Sequence, residues 1–284
     1  MPPHDDRPIG VFDSGVGGLT VFHALEQALP RETMVYLGDT ARVPYGGRSA
    51  ETVRRYTREA ARFMLRQQVK MVVVACNTAS SVALDSMEHE AGLPVIGVIV
   101  PGAARAVDAS PTGRIGVIGT RATVGSGAYK RAIQELRPDA EVLSQACPLF
   151  VPLAEEGWTD GEITRRIAES YLRPFQRAEV DTLVLGCTHY PLLRGVIGEV
   201  MGRGVTLVDS AESVADEAAR RLAAAPELAG SAAAARGARD EGREHHFYVT
   251  DAPETFQVVA ERFLGRPIRC LEWAALDRPS NGAG

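Results

Sequence analysis

The sequence predicts an α/β protein built from two similar parallel-sheet lobes, pseudo-symmetric and flavodoxin-like. Three observations carry this. Short apolar runs alternate with helix-length segments along the 284 residues. Those runs are continuous rather than alternating, which implies burial on both faces of a sheet. Two of them are also echoed later in the chain. Ile9–Gly15 (IGVFDSG) resembles Ile115–Arg121 (IGVIGTR), an offset of 106 residues, and Val72–Thr78 (VVVACNT) resembles Leu183–His189 (LVLGCTH), an offset of 111. Two echoes at nearly one offset imply a repeated unit, each copy presenting one cysteine. Length agrees, since roughly 150 residues per domain gives about two domains.

In chain order, the strand candidates are Ile9–Asp13, Met34–Gly38, Met71–Cys76, Val95–Val98, Ile115–Gly119, Thr182–Cys187, Val205–Asp209 and Phe247–Thr250. Helix-length segments lie between them, among them Ala50–Gln68, Thr123–Leu136, Asp160–Arg177 and Glu212–Ala224. Strand–helix–strand repetition requires parallel sheets with right-handed crossovers. The stretch Ala223–Glu244 is rich in Ala and Gly, charged, and has no apolar face. It reads as a helix end followed by a solvated loop.

Composition narrows the function classes. Forty-five per cent of the residues are hydrophobic and the net charge is −5, with acids and bases mixed. No basic stripe points to nucleic acid. Met1–Pro8 is polar and acidic, unlike a signal region, and no apolar stretch is long enough to span a bilayer. A cytoplasmic protein is expected. The four cysteines, Cys76, Cys147, Cys187 and Cys270, form no C-x-x-C pair, and a chain with this much core needs no disulfides. Of 31 basic residues only Lys70 and Lys130 are lysines. Pyridoxal phosphate enzymes need a lysine for the Schiff base. Lys70 directly precedes an apolar strand and Lys130 sits in a predicted helix, so neither fits.

Ligands of open parallel sheets bind beyond the carboxyl ends of the strands. Asp13, Asp39, Cys76 and Cys187 stand there. Each cysteine closes a buried strand and opens a turn towards a helix, whose exposed amides favour negative charge and are expected to lower the thiol pKa. Each is followed by polar residues, Asn77-Thr78 and Thr188-His189. A pair of thiols suits inversion of a stereocentre: one base removes a proton from one face and an acid supplies a proton to the other, with the two groups roughly 6–8 Å apart. A single buried cysteine is more often core filler, and that is the expectation for Cys147 and Cys270.

The turn Asp13-Ser14-Gly15-Val16-Gly17-Gly18 lacks both G-x-G-x-x-G and P-loop spacing. Its amides suit a carboxylate instead, and Asp13 suits a substrate ammonium, orientation of a thiol or a helix cap. Val43-Pro44-Tyr45-Gly46-Gly47-Arg48 is a rigid turn with accessible amides. His189, two residues after Cys187, is placed as a proton partner. Cys76, Cys187 and His189 would also make three zinc ligands, but no fourth has the spacing, so no metal is expected. Glu155 and Glu156 end the apolar run Leu149–Ala154 and read equally as a solvated helix end.

Taken together, the segments IGVFDSGVGGLTV, VPYG, VVACNTAS, IGTRATV, VPLAEEG, VLGCTHYPLL and FYVTDAPETF resemble the bacterial glutamate racemases, in order and over nearly the whole chain. The resemblance implies two α/β lobes with the active site between them. The first would comprise 1–100 plus 210–284, and the second, 101–209, would be inserted into it. It implies Cys76 as the base towards D-glutamate and Cys187 towards L-glutamate, with Asp13, Glu155 and His189 assisting. Asp13, Ser14, Tyr45, Gly46, Asn77, Thr78, Thr188 and His189 would hold the substrate, with Thr123 a lesser candidate. No organic cofactor is expected, in line with the scarcity of lysine. The family supplies D-glutamate for peptidoglycan; its members often dimerise, and some bind DNA gyrase.

Three other readings compete. A related two-thiol racemase or isomerase would act on aspartate, a hydantoin or maleate. A glutamate-binding regulatory protein would have no need of two opposed thiols. A thiol redox protein would be expected to carry C-x-x-C.

Overall fold

The computed structural model describes residues 5–230 and 244–276. Most of the Ala/Gly-rich stretch, 231–243, lies outside the described residues. Its beginning is the end of a helix and a short 3-10 turn at Pro226–Leu228.

Strands β1 (Ile9–Asp13), β2 (Met34–Gly38), β3 (Met71–Val74) and β4 (Val95–Gly97) join β9 (His246–Val249) and β10 (Leu271–Trp273) in one sheet of order β10-β9-β2-β1-β3-β4. Strands β5 (Arg114–Gly119), β6 (Glu141–Ala146), β7 (Thr182–Gly186) and β8 (Thr206–Asp209) form the other, of order β6-β5-β7-β8. Every described pairing is parallel. The second sheet repeats the β2-β1-β3-β4 order of the first. Ile9 lies opposite Met34 and Met71, and its echo Ile115 lies opposite Val142 and Thr182. The sequence echo therefore joins structurally equivalent strands, β1 with β5 and β3 with β7.

The helices are α1 (Leu19–Ala28), α2 (Ala50–Arg66), α3 (Asn77–Val82), α4 (Leu84–Ala91), α5 (Ile99–Ala109), α6 (Arg121–Ser126), α7 (Ala128–Leu136), α8 (Phe150–Glu155), α9 (Gly161–Arg177), α10 (Arg194–Met201), α11 (Ser210–Ala224) and α12 (Pro253–Leu264). The single helix expected over Thr123–Leu136 is two. Gly127, at φ 66°, ends α6 in the left-handed region, where only glycine rests without strain. Two strands were not anticipated. β6 is an edge strand with no fully buried residue, and β10 is a short, largely exposed edge.

The pleat sends alternate side chains to opposite faces. Val11 and Val73 of the first sheet meet Val117 and Val184 of the second in one apolar cluster, filled by α1, α5, α7 and α11. The two lobes thus share a core. Phe12, Val72 and Val74 face the other way, onto α2 and α4, and Ile118, Leu183 and Leu185 face α9 and α10. Each large apolar side chain so enclosed stabilises by about 1.5–3 kcal/mol. Helix α5 packs on α7, α11 on α1, and the two on each other, where the chain passes between sheets. Lys70 is buried in an ion pair with Glu32 at 2.5 Å and also donates to the Asp5 carbonyl at 2.7 Å. Its amine ties elements at the amino ends of the strands. Lys130 is exposed on α7.

Candidate active site

At the carboxyl ends of the strands, β3 stops at Val74 and β7 at Gly186, so Cys76 and Cys187 stand just past strands that the sequence reading had extended through them. The chain turns there instead. Cys76 is the cap of α3, its Sγ accepting from the Ala79 amide at 3.5 Å. Cys187 caps no α-helix. A 3-10 turn at Tyr190–Leu193 comes between it and α10. Both thiols are nearly enclosed, at 5% and 6% exposure.

The expected lowering of the thiol pKa does not occur at Cys76. Burial, then the Asp13 carboxylate, pushes it up to about 12, against the Ser14 hydroxyl and the Ala79 amide, and Cys187 adds to the rise. Helix α3 is too short, and the thiol too enclosed, for the amides to win. The Cys76 Sγ donates to Ser14 Oγ at 3.4 Å. Asp13, at the end of β1, is fully buried; its Oδ2 accepts from the Gly15 amide at 2.9 Å, and its Oδ1 has no hydrogen-bond partner. Burial raises its pKa, opposed by His189 and by the amides of Gly15, Gly18 and Ser14.

On the other side, Cys187 Sγ lies 3.8 Å from His189 Nδ1, and His189 Nε2 is 2.9 Å from Glu155 Oε1 at the end of α8. Burial alone would disfavour a charged ring, but the hydrogen bonds with Cys187 and Glu155 outweigh it and lift His189 to about 10. These contacts favour the protonated imidazole. The structure thus brings Glu155 to His189, and no described hydrogen bond joins Glu156 to the pair.

The glycine turn serves the approach of the lobes. A Cβ at Gly17 would stand 2.4 Å from Thr188 Oγ1 and 2.5 Å from the His189 ring. A Cβ at Gly18 would stand 2.3 Å from that of Asp13. Thr20 Oγ1 donates to the Thr188 carbonyl at 3.1 Å across the same seam. A second seam joins Thr78 to Thr120 and Thr123, with Oγ1 separations of 3.0 and 3.3 Å. Asn77 is held on both sides: its Oδ1 accepts from the Tyr129 hydroxyl at 2.7 Å and its Nδ2 donates to Ser210 Oγ at 3.3 Å. Its side chain is thereby fixed in orientation.

Tyr45 is likewise committed. Its buried hydroxyl donates to Asp39, whose carboxylate also accepts from Arg42 Nε at 2.7 Å and Thr250 Oγ1 at 2.9 Å. Asp39 is thus an organiser of the turn, and Tyr45 offers the site its backbone, with Gly46 packed against Thr120. Cys147 is buried core, as expected. Cys270 is not: it is partly exposed and donates to Glu244 Oε1 at 2.9 Å. Among the described residues no group of three or more His, Cys, Asp or Glu is placed to hold a metal, and no helix is long and apolar enough to cross a membrane.

Thr120, Tyr129 and Ser210 had escaped the sequence reading. The echo contained a signal for the first, because the 106-residue offset that relates Ile9 to Ile115 relates Ser14 to Thr120. Tyr129 and Ser210 gave none, since their contacts with Asn77 depend on how the lobes meet.

Residues 9–218 match the Asp/Glu/Hydantoin racemase family. A glutamate racemase of Geobacter metallireducens is 52% identical over 259 residues, 91% of this chain and 93% of its own length. A solved glutamate racemase of Bacillus anthracis is 38% identical with a TM-score of 0.89, covering 96% of this chain and 99% of that one. A glutamate racemase of Francisella tularensis, solved in complex with D-glutamate, has a TM-score of 0.87 at 38% identity, covering 96% and 99%.

Proposed function

The chain belongs to the Asp/Glu/Hydantoin racemase family, and from that premise we propose that it interconverts L- and D-glutamate by two-base proton transfer through Cys76 and Cys187. The observation that carries this reading is the pair of enclosed thiols just past β3 and β7, equivalent strands of two lobes, each with its own hydrogen-bonding group. For L-glutamate, Cys187 takes the α-proton and Cys76 delivers one to the opposite face; for D-glutamate the roles reverse. The His189–Glu155 pair acts with Cys187, and Asp13 and Ser14 act with Cys76.

Asp13, with its unpartnered buried oxygen, receives the substrate ammonium. The backbones of Ser14, Tyr45-Gly46 and Asn77-Thr78, with Thr123 and Thr188-His189, receive the two carboxylates. Donors aimed at the α-carboxylate stabilise the carbanion as charge moves onto it. The reading uses no organic cofactor and no metal. Lys70 is engaged by Glu32 and lies away from the thiols. To the same reading belong a division into 1–100 plus 210–284 and 101–209, a cytoplasmic location, supply of D-glutamate for peptidoglycan and assembly as a homodimer. DNA gyrase binding, a property of some relatives, would be a separate activity.

The test is incubation with L-glutamate in D₂O without added cofactor. Circular dichroism and α-deuterium uptake are followed together, with aspartate as the competing substrate. Loss of optical activity with deuterium uptake is expected from the parent and not from Cys76→Ser or Cys187→Ser. Full racemisation by either variant would overturn the two-thiol assignment, and preference for aspartate would overturn the substrate.

A further inference from the structure

We infer that the carboxyl end of α12, through Phe263 and Arg262, positions the His189–Glu155 pair from the opposite lobe. The inference rests on the racemase reading above and assigns two positioning residues to it.

Both edges of the His189 ring are occupied. Nδ1 faces Cys187 and lies 3.5 Å from Thr188 Oγ1, and Nε2 bonds Glu155. A third side of the ring meets Phe263, whose ring centroid is 5.5 Å away at an interplanar angle of 84°. Phe263 is 7% exposed. The neighbouring Arg262 donates from Nη1 to the Glu155 carbonyl at 3.1 Å, and the same nitrogen lies 3.3 Å from where a Gly157 Cβ would stand. One turn of helix therefore touches both members of the pair.

That helix belongs to the first lobe. It packs on α1 and β10, and its Phe256 ring packs against Tyr36 of β2. His189 and Glu155 follow β7 and β6 of the second sheet. The pair is thus held only while the lobes are together. This apolar wall shields the His189 side of the Glu155–His189 bond from water, which strengthens it. It also fixes the ring against Cys187 on the scale at which small misplacements cost large factors in rate.

A racemase has an equilibrium constant of one, so kcat/KM is equal in both directions for every variant. Damage confined to one thiol is read instead from substrate isotope effects. If Phe263 supports only the Cys187 side, its loss slows proton removal by Cys187 and leaves removal by Cys76 intact. The isotope effect on kcat/KM with α-deuterated L-glutamate then rises, and that with α-deuterated D-glutamate falls.

The experiment measures both isotope effects and kcat for the parent, Phe263→Ala, Phe263→Leu and Arg262→Ala. Phe263→Ala is expected to lose about tenfold in kcat with that opposite movement. Phe263→Leu, which keeps the apolar bulk, recovers most of both. Arg262→Ala, on an exposed side chain, moves the isotope effects in the same sense with about a two- to threefold loss in kcat. Isotope effects unchanged, or changed equally in both directions, overturn the proposal. If Phe263→Ala does not fold, Arg262→Ala decides alone by the same criterion. A parent protein that exchanges no α-proton overturns the racemase reading itself, before any variant is compared.

Discussion

Replacing Gly17 by alanine tests whether the close approach of the lobes at the glycine turn is needed for the chemistry. The backbone φ at Gly17 is not in the left-handed region, so alanine adds no backbone strain there. Reducing the freedom of the unfolded chain alone would stabilise by about 0.4–1 kcal/mol. The added methyl group, however, would meet Thr188 Oγ1 at 2.4 Å and the His189 ring at 2.5 Å, whereas ordinary contact begins near 3.4 Å. Thr188 and His189 must retreat by roughly 1 Å, which the Thr20 bond to the Thr188 carbonyl resists. Overpacking of this kind costs about 1–3 kcal/mol, so the net loss of stability is expected near 1–2 kcal/mol. The loss of activity should be larger. A displacement of about 1 Å in a proton relay costs on the order of a hundredfold, about 2.7 kcal/mol in the barrier. Circular dichroism of L-glutamate racemisation gives the rate, and chemical denaturation gives the stability. Gly195→Ala in α10, whose methyl group meets nothing within 4 Å, is the control and should stabilise slightly. A Gly17→Ala protein with kcat/KM within twofold of the parent would falsify the claim that this seam holds the relay.

Lys70→Ala removes one buried partner of Glu32 and the donor to the Asp5 carbonyl and should cost about 3 kcal/mol, with kcat per folded molecule unchanged; a folded variant with lost kcat would put the lysine in the chemistry. Tyr129→Phe removes the donor to Asn77 Oδ1, which should cost about 1–3 kcal/mol and raise KM for glutamate; an unchanged KM would show that Asn77 is positioned without it. Asp181 accepts from Ser110 Oγ at 2.6 Å and from the Thr112 amide and hydroxyl at 2.8 and 2.6 Å. Burial acts to raise its pKa, but these bonds prevail and hold it below 3.8. Its contribution, about 1–2 kcal/mol, is thus present above pH 3.8 and lost as the pH falls through the folded value. Asp181→Asn should lower stability at neutral pH, and denaturation curves of the two proteins should converge in acid; a gap that widens in acid would refute the assignment.

What the sequence made legible follows from where its signals are strong. Strands buried on both faces, such as Met34–Gly38, are continuous apolar runs and keep their predicted bounds. β6 carries Ser144 and Gln145 on a half-buried edge, so its pattern is neither continuous nor cleanly alternating. The repeat nevertheless required a strand between β5 and β7, as β2 lies between β1 and β3 in the chain. The thiols, Asp13 and His189 could be singled out as candidates because motif and strand end coincide; Glu155, at the end of α8, was offered by its motif alone. Tyr45 and Asn77 were legible as positions only, since the partners that occupy their side chains, Asp39, Tyr129 and Ser210, come from other elements. The direction of the Cys76 pKa was not legible at all. It depends on how completely the lobes enclose the thiol, which no local sequence records.

The fold repeats, but the chemistry it carries does not. The offset that relates β1 to β5 places Gly119 where the first lobe has Asp13, and the other offset places Thr188-His189 where it has Asn77-Thr78. One thiol therefore sits beside a buried carboxyl group, the other beside an imidazole. Asp13 raises the Cys76 pKa by its charge and has a buried oxygen without a partner. A cation bound there would relieve both at once, because an opposite charge nearby favours the ionised forms of carboxylate and thiol. The substrate ammonium would thus help to create the base that acts on its own carbon. 2-Hydroxyglutarate, which keeps both carboxylates and lacks the ammonium, should compete with glutamate yet exchange no α-proton in D₂O. Asp13→Asn should weaken glutamate binding by about tenfold or more, the loss of a charged pair, while leaving 2-hydroxyglutarate within about twofold. Equal losses for the two ligands would mean that Asp13 holds the site's shape and not the ammonium.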